Sequence, residues 1–205
     1  MSDKKQQLIQ QLIQHTGELA RAGMTPATSS NFSARLDASH CVITVSGRDK
    51  GKLTADDFME VDMQGRALEP GRVSSAETLL HTQVYSLRPD ANVVLHTHSP
   101  AQTLLSMRFE NDGRMEFTGY ELQKAFRGVA CHEGTVCLPI IANSQDMRRL
   151  CGHAAPLFEH TDFWGYLIAG HGIYTWGRDF DEARRHLDAF EFLLNVELTK
   201  LGLPS

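Results

Sequence analysis

The chain of 205 residues has few cysteines and no long apolar run. Its four cysteines stand at irregular separations without a Cys-x-x-Cys pair, which excludes a disulfide framework and a zinc ribbon. No apolar stretch approaches the roughly 20 residues of a membrane span, and the polar start lacks the apolar core of a signal peptide. We therefore expect a cytoplasmic protein with reduced thiols and no membrane partner.

Positive charge is not in excess either. Twenty lysines and arginines against 25 aspartates and glutamates leave a formal net charge of -5. Proteins that bind nucleic acid by neutralising its phosphates need a strongly basic surface. The charge balance therefore predicts no nucleic-acid partner. The chain is long enough to build a full hydrophobic core, so it needs no metal merely to fold, and any metal site is expected to be functional.

The spacing of apolar residues predicts a mixed α/β protein. Apolar residues at helical spacing precede Gly23, so a first helix is expected to end there. A long last helix is expected to begin at Asp179 or Asp181. Extended runs are expected at 41–45, 58–61, 92–98, 114–117, 136–141, 166–169 and 173–176, and further helices at 76–87, 119–126 and 144–159. With no repeat and no dividing linker, the simplest architecture is one three-layer domain over residues 1–205, a central mixed β-sheet flanked by helices.

Three of the ten histidines form a candidate metal site. His96 and His98 are two residues apart at a predicted strand end, so their rings share one face. His171 lies between two glycines of a predicted hairpin, where small residues permit close approach to its ring. Three imidazoles suit a catalytic zinc site, because they leave a position for water or substrate. The alternative is that one ring of the pair is solvated and the other is a hydrogen-bonded core residue.

Two carboxylates are candidates for proton transfer, Glu77 and Glu121. Each stands near the start of a predicted helix. Acidic residues are also favoured there by the exposed amides and the helix dipole. Spacing alone therefore leaves open whether either residue is catalytic.

Short polar stretches at turns and helix starts are candidates for binding an anion through hydroxyls and backbone amides. They are 28–31, Ser46-Gly47 and Ser74-Ser75. Ser74 or Ser75 also fits the N-cap of the helix that follows. A nucleotide P-loop near Gly47 is excluded, because the spacing to Gly51 is one residue short and Leu53 replaces the hydroxyl that binds magnesium.

The order of these motifs resembles the class II aldolase family of zinc-dependent sugar-phosphate enzymes, over nearly the full length. The resemblance implies one zinc ion per subunit on His96, His98 and His171, and a small-molecule sugar phosphate as substrate. It also implies a ring-like homotetramer with sites between subunits. The phosphate is expected on Asn31, Ser46, Gly47, Ser74 and Ser75. One departure is Ser30, which stands where many aldolase members have glycine.

Within the family, the His-Thr-His-Ser motif and the stretch 170–177 are similar to the branch that dehydrates 5-methylthioribulose 1-phosphate to a 2,3-diketone in methionine salvage. In that branch the catalytic glutamate is matched by Glu121, whereas the aldolases use a glutamate matched by Glu77. We therefore expect Glu121 to be the acid for the departing carbon-4 hydroxyl. The alternative is a zinc-dependent aldolase or epimerase acting on fuculose or ribulose phosphate. A non-catalytic binding module is disfavoured, because its family members have lost the zinc histidines.

Overall fold

The computed structural model describes residues 3–160 and 162–202. Five α-helices are present in these residues: α1 (Asp3–Arg21), α2 (Thr78–Leu87), α3 (Pro100–Arg108), α4 (Met147–Ala154) and α5 (Phe180–Lys200). The eight strands are β1 (Asn31–Arg35), β2 (His40–Thr44), β3 (Phe58–Asp62), β4 (Val93–Thr97), β5 (Arg114–Thr118), β6 (Thr135–Ile141), β7 (Gly165–Ile168) and β8 (Ile173–Gly177). Among the helices in this part of the chain, none is long and apolar enough to span a membrane.

All eight strands belong to one mixed sheet in the order β3-β2-β1-β4-β8-β7-β6-β5. Neighbouring strands are antiparallel except β6 and β7, which are parallel. Strands β1, β4 and β8 are therefore adjacent in the sheet. Their register sets Asn31 opposite His96, and His96 opposite Tyr174. This register brings three polar or aromatic side chains together at one end of the sheet.

Side chains alternate between the two faces of the sheet, and each face carries its own apolar cluster. Leu95 of β4 packs in the cluster that includes residues of α1, α3 and α5. Val94 of the same strand packs in the cluster that includes residues of α2 and α4. The resulting three layers confirm the predicted mixed sheet flanked by helices.

Three local predictions need correction. Strand β1 was expected only as a polar stretch, because two of its residues, Asn31 and Ser33, are polar although buried. Helix α2 begins at Thr78, two residues later than predicted, with Glu77 rather than either serine as its N-cap residue, although the Ser75 hydroxyl accepts from the Glu77 amide at 3.5 Å. The segment 119–126 forms only a short 3₁₀ turn, Glu121–Ala125. In contrast, the Asp179 cap of α5 is confirmed, since its carboxylate accepts a hydrogen bond from the Glu182 amide.

Candidate active site

The three predicted histidines converge at one end of the sheet. His96 lies in β4, His98 lies one residue beyond it, and His171 lies in the turn between β7 and β8. Their ring centroids are 4.6 to 5.0 Å apart. One nitrogen from each ring can be chosen so that all three atoms lie within 4.8 Å of one another. The fold therefore assembles a three-imidazole cluster from two parts of the chain.

Gly172 permits this convergence. A Cβ atom at Gly172 would lie 2.2 Å from the carbonyl oxygen of Thr97 and 3.1 Å from Cε1 of His96. Both distances are too short for a side chain, and the first contact is with backbone that cannot easily move. The residue after His171 must consequently be glycine if the turn is to stay against β4.

The hydrogen bonds of His96 fix which of its nitrogens is free. Its Nδ1 lies 2.9 Å from the carbonyl oxygen of Ile173, which only accepts, so Nδ1 carries the hydrogen. Nε2 then has a lone pair, and it is buried without a hydrogen-bond partner. Burial lowers the pKa of His96 to about 4 and that of His98 to about 3. Neutral imidazoles with a free buried nitrogen are the form that binds metal, so these residues fit a divalent ion.

Glu77 is the carboxylate next to this cluster. Its Oε1 lies 3.0 Å from Nε2 of His171, and its Oε2 lies 3.3 Å from Nε2 of His96. Oε2 also accepts hydrogen bonds from the Asn31 amide at 2.8 Å and the Tyr174 hydroxyl at 2.9 Å. Burial raises the pKa of Glu77, but the hydrogen bonds from His171 and from the Asn31 amide favour the ionised form and hold the pKa well below its usual range. The site therefore contains an ionised carboxylate beside three imidazoles.

A chain of buried hydrogen bonds leads away from Glu77, and its direction can be deduced. The Asn31 amide nitrogen donates to Glu77, so the Asn31 carbonyl oxygen accepts from Nε2 of His81. Nδ1 of His81 must then accept, from the Ser33 hydroxyl, which in turn accepts from the Tyr85 hydroxyl. Burial lowers the pKa of His81 to about 3, so the ring is neutral. Its two hydrogen bonds then place the ring hydrogen on Nε2. Each donor in this relay has one possible acceptor, and the relay orients Glu77.

A cavity of about 240 Å³ opens beside the histidines. It is lined by Thr28, Ser29, Ser30, Asn31, Ser46, Gly47, Lys50, Ser75, Ala76, Glu77, His98 and His171. The structure thus brings four of the five predicted phosphate residues to the three-histidine cluster. Ser74 is the exception, because it forms an isolated backbone bridge with Val45 and does not line the cavity.

The loop that closes this cavity is strained. Ala27, Thr28 and Ser30 have positive φ angles of 51°, 62° and 74°, although none is glycine. Such angles are uncommon outside glycine and cluster at functional sites. The Ser30 hydroxyl donates to the carbonyl of Met24, which also accepts from the backbone amide of His98. Ser30 stands where many family members have glycine, and it keeps the left-handed backbone conformation. Through the shared carbonyl of Met24, its hydroxyl connects the loop to the backbone of His98.

Glu121 lies elsewhere. Its side chain is 73% exposed in the short 3₁₀ turn, ion-paired with Lys124 and 3.7 Å from Nδ1 of His132. The hydrogen bond from Lys124 lowers the pKa of Glu121. The carboxylate does not line the cavity. The single chain therefore brings Glu77, but not Glu121, to the histidines.

Three residues of the site were not predicted: His81, Tyr174 and Lys50. His81 is a buried residue of α2, and a histidine in an apolar helix face is indistinguishable by sequence from an ordinary core residue. Tyr174 stacks on the His96 ring at 4.2 Å between centroids, a contact set by the pairing of β4 with β8. No local sequence signal identifies His81 or Tyr174, because their partners are distant along the chain, and the burial of Lys50 depends on how its turn packs in the fold.

Comparison with known proteins agrees with this geometry. The pattern of the class II aldolase and adducin N-terminal domain family matches residues 10–198. A protein of Xanthomonas campestris pv. campestris named methylthioribulose-1-phosphate dehydratase is 54% identical over 97% of this chain and 92% of its own length.

Solved structures show the same fold. The structure of YgbL, a putative aldolase/epimerase/decarboxylase from Klebsiella pneumoniae, superposes with a TM-score of 0.81 at 23% identity, covering 95% of this chain and 90% of that one. An L-fuculose 1-phosphate aldolase superposes with a TM-score of 0.79 at 20% identity, covering 100% and 91%.

Proposed function

The chain belongs to the class II aldolase and adducin N-terminal domain family, and we propose that it is a lyase that removes water from 5-methylthioribulose 1-phosphate. The product is 2,3-diketo-5-methylthiopentyl 1-phosphate. The observation that carries this assignment is the 54% identity, over nearly the whole chain, to a curated dehydratase of that substrate. The three-histidine cluster beside a cavity with hydroxyl-bearing walls supports it.

We propose that His96, His98 and His171 hold one zinc ion. Three imidazoles are a ligand set found in catalytic zinc sites. When bound there, the ion supplies positive charge that polarises a carbonyl group and acidifies the neighbouring carbon-bound proton. The unpartnered Nε2 of His96 is the observation in this chain that supports a metal ligand.

The reaction takes a proton from carbon 3 and a hydroxyl group from carbon 4, so that water leaves and the resulting enol becomes the diketone. We assign the base to Glu77, because it is ionised, adjacent to the histidines and oriented by Asn31 and Tyr174. Glu121 stays our proposed acid for the departing hydroxyl. Since it lies outside the cavity of its own chain, this role requires it to reach the site of another subunit in the proposed homotetramer.

The phosphate group is proposed to bind Ser46, Gly47 and Ser75, which line the cavity. Ser74 contributes through its backbone bridge, which fixes the segment before Ser75. Asn31 has one amide hydrogen left after its bond to Glu77. Binding at this end positions carbons 2 to 4 next to Glu77, so that remote binding energy orients the reacting atoms.

The assignment is tested by incubating zinc-loaded protein with 5-methylthioribulose 1-phosphate and recording products by NMR. We expect the diketone and water, with no aldehyde, and a His171→Ala protein as the inactive control. The alternative is an aldolase acting on fuculose or ribulose phosphate, favoured by the position of Glu77 at the cluster. Aldehyde release from either of those sugars, with no diketone from the first, would establish it instead.

The cytoplasmic location and the tetramer stay predictions. Light scattering on the purified protein measures the mass of the assembly. A monomer that is fully active would exclude an intersubunit role for Glu121.

A further inference from the structure

Lys50 is a buried cation in the wall of the cavity. It belongs to the short 3₁₀ turn Lys50–Lys52, yet the residue is only 2% exposed. It lines the same space as Ser46, Gly47 and Glu77. Lysine is almost never buried to this extent without a negatively charged partner.

The ammonium group of Lys50 has only neutral protein partners. Its Nζ donates to the carbonyl oxygens of Thr28 at 2.9 Å and Arg48 at 2.8 Å. In the part of the chain that the structure describes, no carboxylate forms an ion pair with it. The two acidic residues nearby are committed elsewhere, Asp49 to Lys52 at 3.3 Å and Asp57 to Arg48 at 3.1 Å.

Two consequences follow from this arrangement. An ammonium group has three hydrogens, and two carbonyls account for two of them, so one donor is left. A buried charge without a counter-charge is also costly, and burial lowers the pKa of Lys50 accordingly. An anion in the cavity would supply the missing charge and accept the third hydrogen bond.

The surroundings indicate which kind of anion fits. Besides Lys50, the lining of the cavity includes Ser46 and Ser75, which carry hydroxyls, and Gly47, all of them neutral residues. A phosphate group has several oxygens, which accept from hydroxyls, amides and an ammonium group together. Among the described residues that line the cavity, Glu77 is the only carboxylate, and it lies beside His171 and His96. We therefore expect the substrate's phosphate beside Lys50 and its carbon chain beside Glu77.

We propose that Lys50 binds the phosphate group of the substrate. Its ammonium group supplies the positive charge that the serine and glycine donors lack. The inference rests on the proposed function for the identity of the substrate. The same ammonium group holds the carbonyl of Thr28, a residue with a φ of 62°. Phosphate binding and the shape of the strained loop are thus linked through one side chain.

The test compares Lys50→Met with Lys52→Met in zinc-loaded protein. Lys52 belongs to the same turn, but its side chain is 83% exposed and it is a matched control. Calorimetry measures the Kd of inorganic phosphate, and kinetics give KM and kcat for 5-methylthioribulose 1-phosphate. For Lys50→Met we expect both Kd and KM to rise by roughly 10- to 100-fold, as for a lost hydrogen bond to a charged group. Zinc content should be unchanged, and Lys52→Met should resemble the parent.

Two further variants separate charge from loop support. Lys50→Gln keeps a neutral donor, whereas Lys50→Arg keeps the charge, so phosphate affinity should stay low in the first and recover in part in the second. The proposal is overturned if Lys50→Met or Lys50→Gln binds phosphate as tightly as the parent. It is also overturned if Lys50→Met loses zinc and thermal stability together with phosphate, since Lys50 would then support the loop only.

The outcome is independent of turnover. A parent protein that binds phosphate through Lys50 but forms no diketone would contradict the proposed function and leave the role of Lys50 intact. If the parent forms diketone but the Lys50→Met variant binds phosphate equally well, the role of Lys50 is contradicted and the proposed function stands.

Discussion

Glu77 and Glu121 are both acidic residues near the start of a predicted helix, and the structure places them in opposite surroundings. The Glu77 side chain is 14% exposed and meets two histidines, an amide and a tyrosine hydroxyl. The Glu121 side chain is 73% exposed and meets Lys124 and His132. The partners of Glu77 come from β1, β4, β8 and the turn between β7 and β8, whereas Lys124 belongs to the same 3₁₀ turn as Glu121.

This difference shows what makes a carboxylate chemically distinctive. An exposed ion pair such as Glu121 with Lys124 contributes little to stability and is screened by salt. A carboxylate enclosed by fixed donors keeps its charge and its direction, because the donors are themselves held by strand pairing. Single substitutions around Glu77 are therefore expected to change the activity of the site in the same chain. Substitutions around Glu121 are expected to change activity only through the site of another subunit.

The largest effect is expected from His171→Ala. Removing one of three imidazoles should abolish most zinc binding and nearly all activity, while the thermal midpoint falls far less, because folding rests on the hydrophobic core and His171 is not among its residues. Elemental analysis and turnover measurements check this. His132→Ala, next to Glu121, is the matched control and should retain its zinc. A full complement of zinc in the His171→Ala protein would show that the ligand assignment is wrong.

The next effect distinguishes the two carboxylates directly. Glu77→Gln and Glu121→Gln should each lower turnover by roughly 10²- to 10⁴-fold with zinc retained, as expected for loss of a general acid or base. Activity at saturating substrate measures both. Near-parent turnover of Glu121→Gln would remove Glu121 from the mechanism.

Mixed oligomers sharpen the comparison. When co-expressed with His171→Ala subunits, Glu121→Gln subunits should regain activity, because an intact cluster meets an intact Glu121 from its neighbour. Glu77→Gln subunits should not regain it, since Glu77 and His171 belong to the same site. Recovery in both mixtures, or in neither, would contradict the assignment of Glu121 to another subunit's site.

A smaller effect is expected along the relay behind Glu77. His81→Gln keeps a donor near the Nε2 position and therefore the bond to Asn31, whereas His81→Asn keeps only the contact with Ser33. We expect kcat to fall about tenfold in His81→Asn, the equivalent of one buried hydrogen bond, and KM to change little. His81→Gln should stay within a few-fold of the parent. Equal kcat values for the two variants would mean that the relay does not orient Glu77.

The smallest effect concerns pH and stability. His81 has a pKa of about 3 in the folded protein against about 6.5 in the unfolded chain, so the unfolded state binds more protons at neutral pH. Stability should therefore fall as the pH falls, and His81 alone should contribute a loss of about 0.7 kcal/mol between pH 7 and pH 6. Denaturant unfolding of the parent and of His81→Gln measures this difference. Glu121→Gln should show the parent's slope, because the pKa of Glu121 lies well below this range.

The sequence predicts the three-histidine cluster and most of the fold, because these depend on local patterns. The i, i+2 spacing of His96 and His98 places both rings on one face of a strand, whatever the rest of the chain does. The glycines beside His171 likewise indicate a tight turn. The same local logic identifies the phosphate stretches and the Asp179 cap.

The remaining features depend on contacts between distant segments. Strand β1 was missed because Asn31 and Ser33 are buried polar residues, and only their partners on α2 explain why burial is tolerated. The choice between Glu77 and Glu121 depends on where each helix start lies relative to β4 and β8. Spacing along the chain contains no information about that distance.

The order of strands in the sheet has a consequence for how the protein folds. The adjacent strands β1, β4 and β8 come from the early, middle and late parts of the chain. Pairing such distant segments is slow, because long loops must close before any contact forms. A nascent chain that has not yet released the turn between β7 and β8, and β8 itself, from the ribosome exposes only two of the three histidines and no Tyr174. Binding of a metal ion by all three histidines is therefore expected late in folding. The rate of that binding would report when β8 has paired with β4.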